Sequence, residues 1–367
     1  MSPETSVQPE RTGNEESAGL PVDLIRVVAV VLVILLHASI ESYTNVTLDA
    51  AQSQMYWWTT TIYDSLARIC VPLFVMLSGF LLLQPIKVHE PIRVFLQKRF
   101  TRIGLAFGFW SVIYFAWSFY VHNQALSVTY VIQGLLTGPY YHFWYIYLIA
   151  GLYIITPILR VIIAYGDRKI LKYIIAVWFV GVSVVPLFQL LTGFTVEPNL
   201  ILVAGWIGYF VFGAYLQRVH MRTSLLVGLL ALGIFWTVYG SWVMLAPLHY
   251  IGKYYFFFDS LTVNVVLASV AMFMILSKFR PDWPGRNHPR VGKVAHAISV
   301  NSLPIYLGHL IVMESLQLGF FGFKLSLTVM NPIIEIPVLT AVTFLITLGL
   351  VLVLRQVPVL KRLIGSR

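Results

Sequence analysis

The chain has 367 residues, of which 58% are hydrophobic and only 11% charged, and its formal net charge is +10. A soluble domain carries about 25% charged residues, so this composition excludes an ordinary soluble enzyme and indicates a polytopic membrane protein. The apolar runs are continuous rather than alternating, which excludes a closed β-barrel and predicts helices.

About ten apolar segments are long enough to cross a ~30 Å hydrocarbon core as helices. They are 22–42, 57–84, 100–121, 143–164, 170–191, 200–218, 224–246, 254–277, 297–320 and 333–354. The predicted fold is therefore all-α, a bundle of about ten transmembrane helices. Residues 1–20 are expected to form a disordered tail, 21–356 the transmembrane domain and 357–367 a basic tail.

Lysine and arginine are concentrated in every second connection between the predicted spans. These connections and the end of the chain hold Lys87, Arg93, Lys98, Arg99, Arg102, Arg160, Arg168, Lys169, Lys172, Arg218, Arg222, Lys278, Arg280, Arg286, Arg290, Lys293, Arg355, Lys361, Arg362 and Arg367. The opposite connections carry only Lys253 and Lys324. The positive-inside rule then predicts that both termini are cytoplasmic, and it explains the basic surplus without nucleic-acid binding. We expect the connection 121–142 to lie outside and the Pro/Gly-rich connection 278–296 to lie inside.

Two ionisable residues share a face of the first span. Arg26 and His37 are eleven residues apart, close to three helical turns or ~16 Å along the axis. Ionisable groups at membrane depth are expensive and indicate function by default. A histidine can act as a general base near neutral pH, and an arginine can bind phosphate. The alternatives are a topology anchor at Arg26, which Asp23 would orient or neutralise, and a polar packing residue at His37.

The second span also carries a charged pair within its apolar run. Asp64 and Arg68 are four residues apart, so they can pair on one helical face. One interpretation is an ion pair that fixes helix packing; the other is that Arg68 faces a polar cavity and holds an acyl oxygen or a substrate hydroxyl. Pro72 predicts a kink beside the pair, and Gly79 allows close contact with another helix.

Two arginines precede the third span. Arg99 and Arg102 are three residues apart on one face of the predicted helix, within the sequence KRFTRI. Two guanidinium groups on adjacent turns suit a diphosphate, because each can make paired hydrogen bonds to phosphate oxygens. The alternative is that both serve only as positive-inside signals.

The ninth predicted span holds more polar groups than a lipid-facing helix tolerates. They are Asn301, Ser302, Tyr306, His309 and Glu314. Tyr306 and His309 share a face, which must meet protein or water. Two intramembrane histidines would also suit a metal or a proton relay. No Cys or carboxylate spacing supports a metal, so none is expected.

Two aromatic stretches fall near the outer ends of their spans, HFWYI at 142–146 and YYFFFDS at 254–260. Aromatic residues at that depth are mostly interfacial anchors. The alternative is that Trp144 and Asp259 line an acceptor site that faces outward.

An ordered set of motifs carries a family resemblance over most of residues 22–354. The set comprises Arg26 with His37, VPLFVMLSGFLLL at 71–83, KRFTRI at 98–103, HFWYIYLIAGLYIITPIL at 142–159 and SLPIYLGH at 302–309. It resembles the acyltransferase-3 family of integral-membrane acyltransferases, and within it the enzymes that O-acetylate cell-surface polysaccharides or their lipid-linked precursors. One departure is Pro304, which introduces a break in the last motif.

The resemblance implies a ten-helix core in the plasma membrane. It implies an acyl-CoA donor, usually acetyl-CoA, reached from the cytoplasm, and a carbohydrate or lipid-linked glycan acceptor near the outer face. It also implies that Arg26, His37, Arg99 and Arg102 are essential. We therefore expect an O-acetyltransferase with His37 and Arg68 as catalytic residues. Arg26, Arg99 and Arg102 would bind the donor, and Trp144, Asp259, Tyr306 and His309 the acceptor. The alternative is an exporter of polysaccharide or lipid-linked sugar that transfers no acyl group.

Overall fold

The computed structural model describes residues 21–41, 50–194, 205–216, 219–245, 254–283, 285–326 and 330–366, and throughout these ranges the regular structure is helical. The helices are α1 (Val22–Glu41), α2 (Ala50–Ala67), α3 (Cys70–Leu82), α4 (Ile92–Tyr120), α5 (Val128–Thr137), α6 (Trp144–Tyr165), α7 (Arg168–Phe179), α8 (Val185–Thr192), α9 (Ile207–Tyr215), α10 (Thr223–Leu245), α11 (Val263–Leu276), α12 (Pro289–Val300), α13 (Ser302–Leu318), α14 (Pro332–Leu354) and α15 (Pro358–Leu363). Short 3₁₀ turns at Pro85–Lys87, Tyr141–Phe143 and Tyr254–Phe258 and a π-helical turn at Val180–Val184 complete the set.

Within the described ranges, eight helical stretches are long and apolar enough to cross a membrane, and α12 with α13 makes nine if that bent pair is one span. The prediction of an all-α polytopic membrane protein is confirmed. The predicted span 200–218 is described only in part, as α9. The predicted tail 1–20 and Lys253 lie outside the described residues.

Helix α1 lies at the centre of the bundle and packs against α2, α3, α12, α13 and α14. Its residues Ile25, Ala29 and Ile34 are fully buried. Because lipid tails are as apolar as these side chains, close packing rather than escape from water selects the neighbours. This placement holds both ends of α1 within reach of several other helices.

Two spans are interrupted beside prolines. Helices α2 and α3 are separated at Arg68–Ile69, and α12 and α13 meet at Asn301 with a bend of 77°. Proline has no N–H, so Pro72 and Pro304 cannot bond the carbonyl groups four residues earlier, and the helix weakens there. The interruption at Arg68–Ile69 lies beside Pro72, where a kink was predicted.

Two predicted connections contain helices. The connection 278–296 includes the start of α12, which has Pro289 at its first position, where the missing N–H costs nothing. The connection 121–142 contains α5, capped by the Ser127 hydroxyl, which accepts from the Tyr130 amide. Both were expected to be connections because their apolar runs are shorter than a membrane span.

The end of the chain folds back on α4. Helix α15 packs against α4, and Ile364 after it is fully buried. The indole of Trp110 donates to the Ile364 carbonyl over 3.5 Å, and Arg102 donates to the Gly365 carbonyl over 3.2 Å. The predicted basic tail therefore begins as a docked segment of the bundle.

Candidate active site

The three arginines predicted to bind a donor line one cavity, although they come from two helices. Arg26 lies on α1, and Arg99 and Arg102 lie on α4. The cavity, including its open mouth, holds about 730 Å³. The rest of its lining is Phe74, Ser78, Ile103, Tyr145, Ile149, Tyr153, Ser302, Leu303 and Tyr306. The structure thus brings together three cations that the sequence shows only as two separate motifs.

Neighbouring side chains hold the guanidinium groups of Arg26 and Arg99 in place. Arg26 is only 9% exposed and donates to the Ser299 hydroxyl over 3.3 Å. Arg99 lies over the rings of Phe95 and Tyr153, with its Cζ 5.6 and 6.0 Å from their centroids. The buried Nε of Arg99 has no hydrogen-bond partner among the described residues. A buried donor without a partner at a cluster of cations fits a phosphate ligand.

Asp23 lies at the same end of α1 but faces another helix. Its carboxylate is 2.9 Å from Nδ1 of His296 on α12. This contact and the Arg26–Ser299 hydrogen bond both join α1 to α12. That Asp23 orients or neutralises Arg26 stays a prediction.

Toward the other end of α1, His37 belongs to a cluster of three imidazoles. Its ring centroid is 5.0 Å from that of His309 on α13 and 6.5 Å from that of His142. His142 and His309 are 5.7 Å apart and both fully buried, whereas His37 is partly exposed. Among the described residues no three His, Cys, Asp or Glu side chains have the arrangement of a metal site. An imidazole can accept or donate a proton near neutral pH, so three neighbouring rings can carry acid–base chemistry.

Hydrogen bonds to carbonyl oxygens fix which nitrogen carries the proton when each of the two buried rings is neutral. Nδ1 of His309 is 2.6 Å from the Tyr306 carbonyl oxygen, and Nε2 of His142 is 3.3 Å from that of Leu307. A carbonyl only accepts, so these nitrogens carry the protons. Nε2 of His309 and Nδ1 of His142 then hold the lone pairs, and neither has a partner among the described side chains or backbone groups.

Tyr306 joins the arginine cavity to the histidine cluster. Its ring lines the cavity, and its centroid is 5.5 Å from that of His142 and 6.0 Å from that of His309. Its hydroxyl donates to the His142 carbonyl. The cavity lined by the arginines thus extends to within one aromatic ring of His142 and His309. Tyr306 and His309 were predicted to bind an acceptor, and the structure places both at this junction.

Arg68 forms the predicted pair with Asp64, with 2.7 Å between Nη2 and Oδ2. Its guanidinium lies over the ring of Phe258, 5.2 Å from the centroid, and its buried Nε has no partner in the described part of the chain. The ion pair explains how a charged side chain is kept at this depth, and it leaves one donor nitrogen available.

Three residues of this region were not among the predicted site residues. Tyr141 places its hydroxyl 3.5 Å from Nδ1 of His37, and His142 follows it in the chain. Glu314 accepts hydrogen bonds from Trp117 over 2.6 Å and from the hydroxyl of Tyr140, and lies 3.2 Å from the imidazole of His122. The available signal for His142 is its position at the start of the HFWYI stretch, from which only Trp144 is a predicted site residue.

Trp144 and Asp259 make contacts with residues outside the histidine cluster. Trp144 is 42% exposed and packs against Trp206, with centroids 5.6 Å apart. The Asp259 carboxylate accepts from the Leu261 amide over 2.8 Å, which stabilises the turn before α11. Asp259 follows Phe258, the residue under Arg68. An acceptor role for either residue stays a prediction.

The comparison with protein families returns one match. The model of an acyltransferase domain, the acyltransferase-3 family, matches residues 21–352, which include every helix that lines the cavity and the histidine cluster. Comparisons with curated proteins and with solved structures return no match. The matched range covers nearly the whole chain, and the protein therefore belongs to the acyltransferase-3 family of membrane acyltransferases.

Proposed function

We propose that the protein transfers an acetyl group from acetyl-CoA to a hydroxyl of a cell-surface polysaccharide or lipid-linked sugar. One observation carries this proposal: a cavity lined by three arginines adjoins a cluster of three histidines through the ring of Tyr306. Phosphate-binding groups in a cavity that leads toward a general base are what a CoA-dependent acyl transfer requires.

The donor would be held by its phosphates. Arg26, Arg99 and Arg102 would bind the diphosphate, and the apolar and aromatic wall that includes Tyr145 and Tyr306 would hold the pantetheine arm with the thioester toward the histidines. The positive-inside rule favours the cytoplasmic side of the membrane for this cavity, which would give it access to acyl-CoA. Only the acyl group, not CoA, would then pass the histidine cluster.

The transfer itself needs one base and one electrophilic group. His37 removes the proton of the acceptor hydroxyl as its oxygen attacks the thioester carbonyl, and Arg68 stabilises the negative charge that develops on the carbonyl oxygen. The C–S bond then breaks, and the thiolate of CoA takes the proton from His37. The rings of His142 and His309 adjoin that of His37, and each is oriented by a hydrogen bond to a carbonyl oxygen.

The test uses vesicles that contain the protein, radiolabelled acetyl-CoA and an extract of glycans and lipid-linked sugars. We expect label in the glycan fraction that depends on the protein and is released by mild base as acetate, because an O-acetyl ester is cleaved by base. A lipid-linked sugar that crosses the vesicle membrane equally well without acetyl-CoA, with no label in the glycan, would contradict the proposal and favour an exporter.

A further inference from the structure

A second cavity lies beside the arginine cavity and shares one wall with it. It holds about 960 Å³ including its wide mouth, and Arg102 lines both cavities. Its lining is Val94, Gln97, Lys98, Thr101, Arg102, Leu105, Arg362 and Ser366. We call this second cavity the α4–α15 groove, because it runs between α4 and the end of the chain.

The positive charges of the groove come from two distant parts of the chain. Lys98 lies on α4 and is exposed, and Arg362 lies on α15 and is also exposed. Arg102 stands between them, partly buried, with its guanidinium bonded to the Gly365 carbonyl. None of the described residues that line the groove is Asp or Glu, so the side chains of these residues concentrate positive charge there.

The segment that supplies Arg362 is fixed in position. Besides the buried Ile364 and its bond from Trp110, the Ser366 hydroxyl donates to the Asn301 side chain over 2.5 Å. Asn301 is the residue at the bend between α12 and α13. These contacts hold the residues after α15 against α4, so the groove is part of the folded bundle. The bond to Asn301 also connects the segment to the start of α13, the helix that carries His309.

CoA carries two phosphate groups of different kinds, a diphosphate and a 3′-phosphomonoester on its ribose. We infer that the α4–α15 groove binds the 3′-phosphate of the donor through Lys98 and Arg362, while the arginine cavity binds the diphosphate. A phosphomonoester carries nearly two negative charges at neutral pH and suits a groove that presents the exposed cations Lys98 and Arg362. This inference rests on the proposed function, and it assigns to the end of the chain a share in donor recognition.

The experiment compares the binding of CoA and 3′-dephospho-CoA to the purified full chain in detergent. Wild type is expected to bind CoA at least about tenfold more tightly, since a charge-assisted contact is lost with the phosphate. Arg362→Gln should lose most of that preference and bind 3′-dephospho-CoA with affinity unchanged within about twofold. Lys361→Gln is the matched control, because it removes a neighbouring charge that does not line the groove, and it should keep the preference.

The outcomes separate this inference from the proposed function. Equal binding of the two nucleotides by wild type would overturn the groove assignment and leave acyl-CoA as the donor. Full preference in Arg362→Gln and in Lys98→Gln would also overturn it. Binding of neither nucleotide by folded wild type would overturn both the inference and the proposed function.

Discussion

The imidazole rings of His37 and His309 lie 5.0 Å apart between centroids, although α1 and α13 come from opposite ends of the chain. The Nδ1–H of His309 donates to the Tyr306 carbonyl, so its Nε2 carries a lone pair beside the ring of His37. The partly exposed ring is the candidate base, and the buried ring is its neutral, oriented neighbour. The packing of α1 against α13 thus brings together two histidines that are far apart in the sequence.

His309→Asn tests whether Nε2 of His309 assists His37. Asparagine keeps an N–H donor near the position of Nδ1 and removes Nε2. We expect the protein to fold and the transfer rate to fall about 10- to 100-fold, because the lone pair beside His37 is lost. Thermal unfolding checks the fold, and a transfer rate equal to that of wild type would exclude a role for Nε2.

Arg99→Gln tests the donor cavity. Loss of one charge-assisted phosphate contact should raise KM for acetyl-CoA about tenfold and leave kcat within about twofold, because the contact is made equally in the ground and transition states. Arg93→Gln is the control, since Arg93 is exposed on the same helix and lines neither cavity. Equal KM values for both variants would argue that Arg99 only sets topology.

Gly79→Ala tests the packing that supports the cavity wall. A Cβ at Gly79 on α3 would lie 1.8 Å from the carbonyl oxygen of Phe210 on α9, so the two backbones would have to separate. We expect a clear loss of thermal stability and of folded yield. Gly108→Ala on α4 is the control, because nothing lies within 4 Å of its Cβ position. Similar stabilities of the two variants would contradict the close contact of α3 and α9.

Glu90→Ala tests the ion pair between Glu90 and the buried Arg160. Arg160 is 2% exposed, and its guanidinium lies 2.9 Å from the carboxylate of Glu90, which is 29% exposed. Removal of Glu90 leaves that cation without its charged partner and should cost about 2 kcal/mol of stability. Asp282→Ala breaks the exposed pair with Arg280 and should cost less than about 0.5 kcal/mol. Equal effects in an unfolding assay would show that burial of Arg160 does not matter.

Local spacing accounts for what the sequence could predict. The phase of Arg26 and His37, the pairing of Asp64 with Arg68 and the shared face of Arg99 and Arg102 all follow from helical periodicity within one segment. Continuous apolar runs likewise predict the all-α bundle. These features need no knowledge of which helices are neighbours.

Contacts between helices account for what the sequence could not predict. Tyr141 reaches His37 from 104 positions away, and no periodicity within either helix encodes that approach. Arg160 was counted as a topology signal, yet it is buried over the ring of Phe95, with its Cζ 4.4 Å from the centroid. The docking of the last residues against α4 was hidden because a short basic segment after a span is typical of a tail.

The most direct test of the central claim is acetyl transfer by His37→Ala beside wild type. Both proteins would be placed in vesicles with radiolabelled acetyl-CoA and the glycan extract, and their CoA affinities and unfolding temperatures would be measured in parallel. We predict label in the glycan with wild type and a loss of at least about 100-fold with the variant, with CoA binding and stability preserved. Transfer at the wild-type rate by the folded variant would contradict the assignment of His37 as the base.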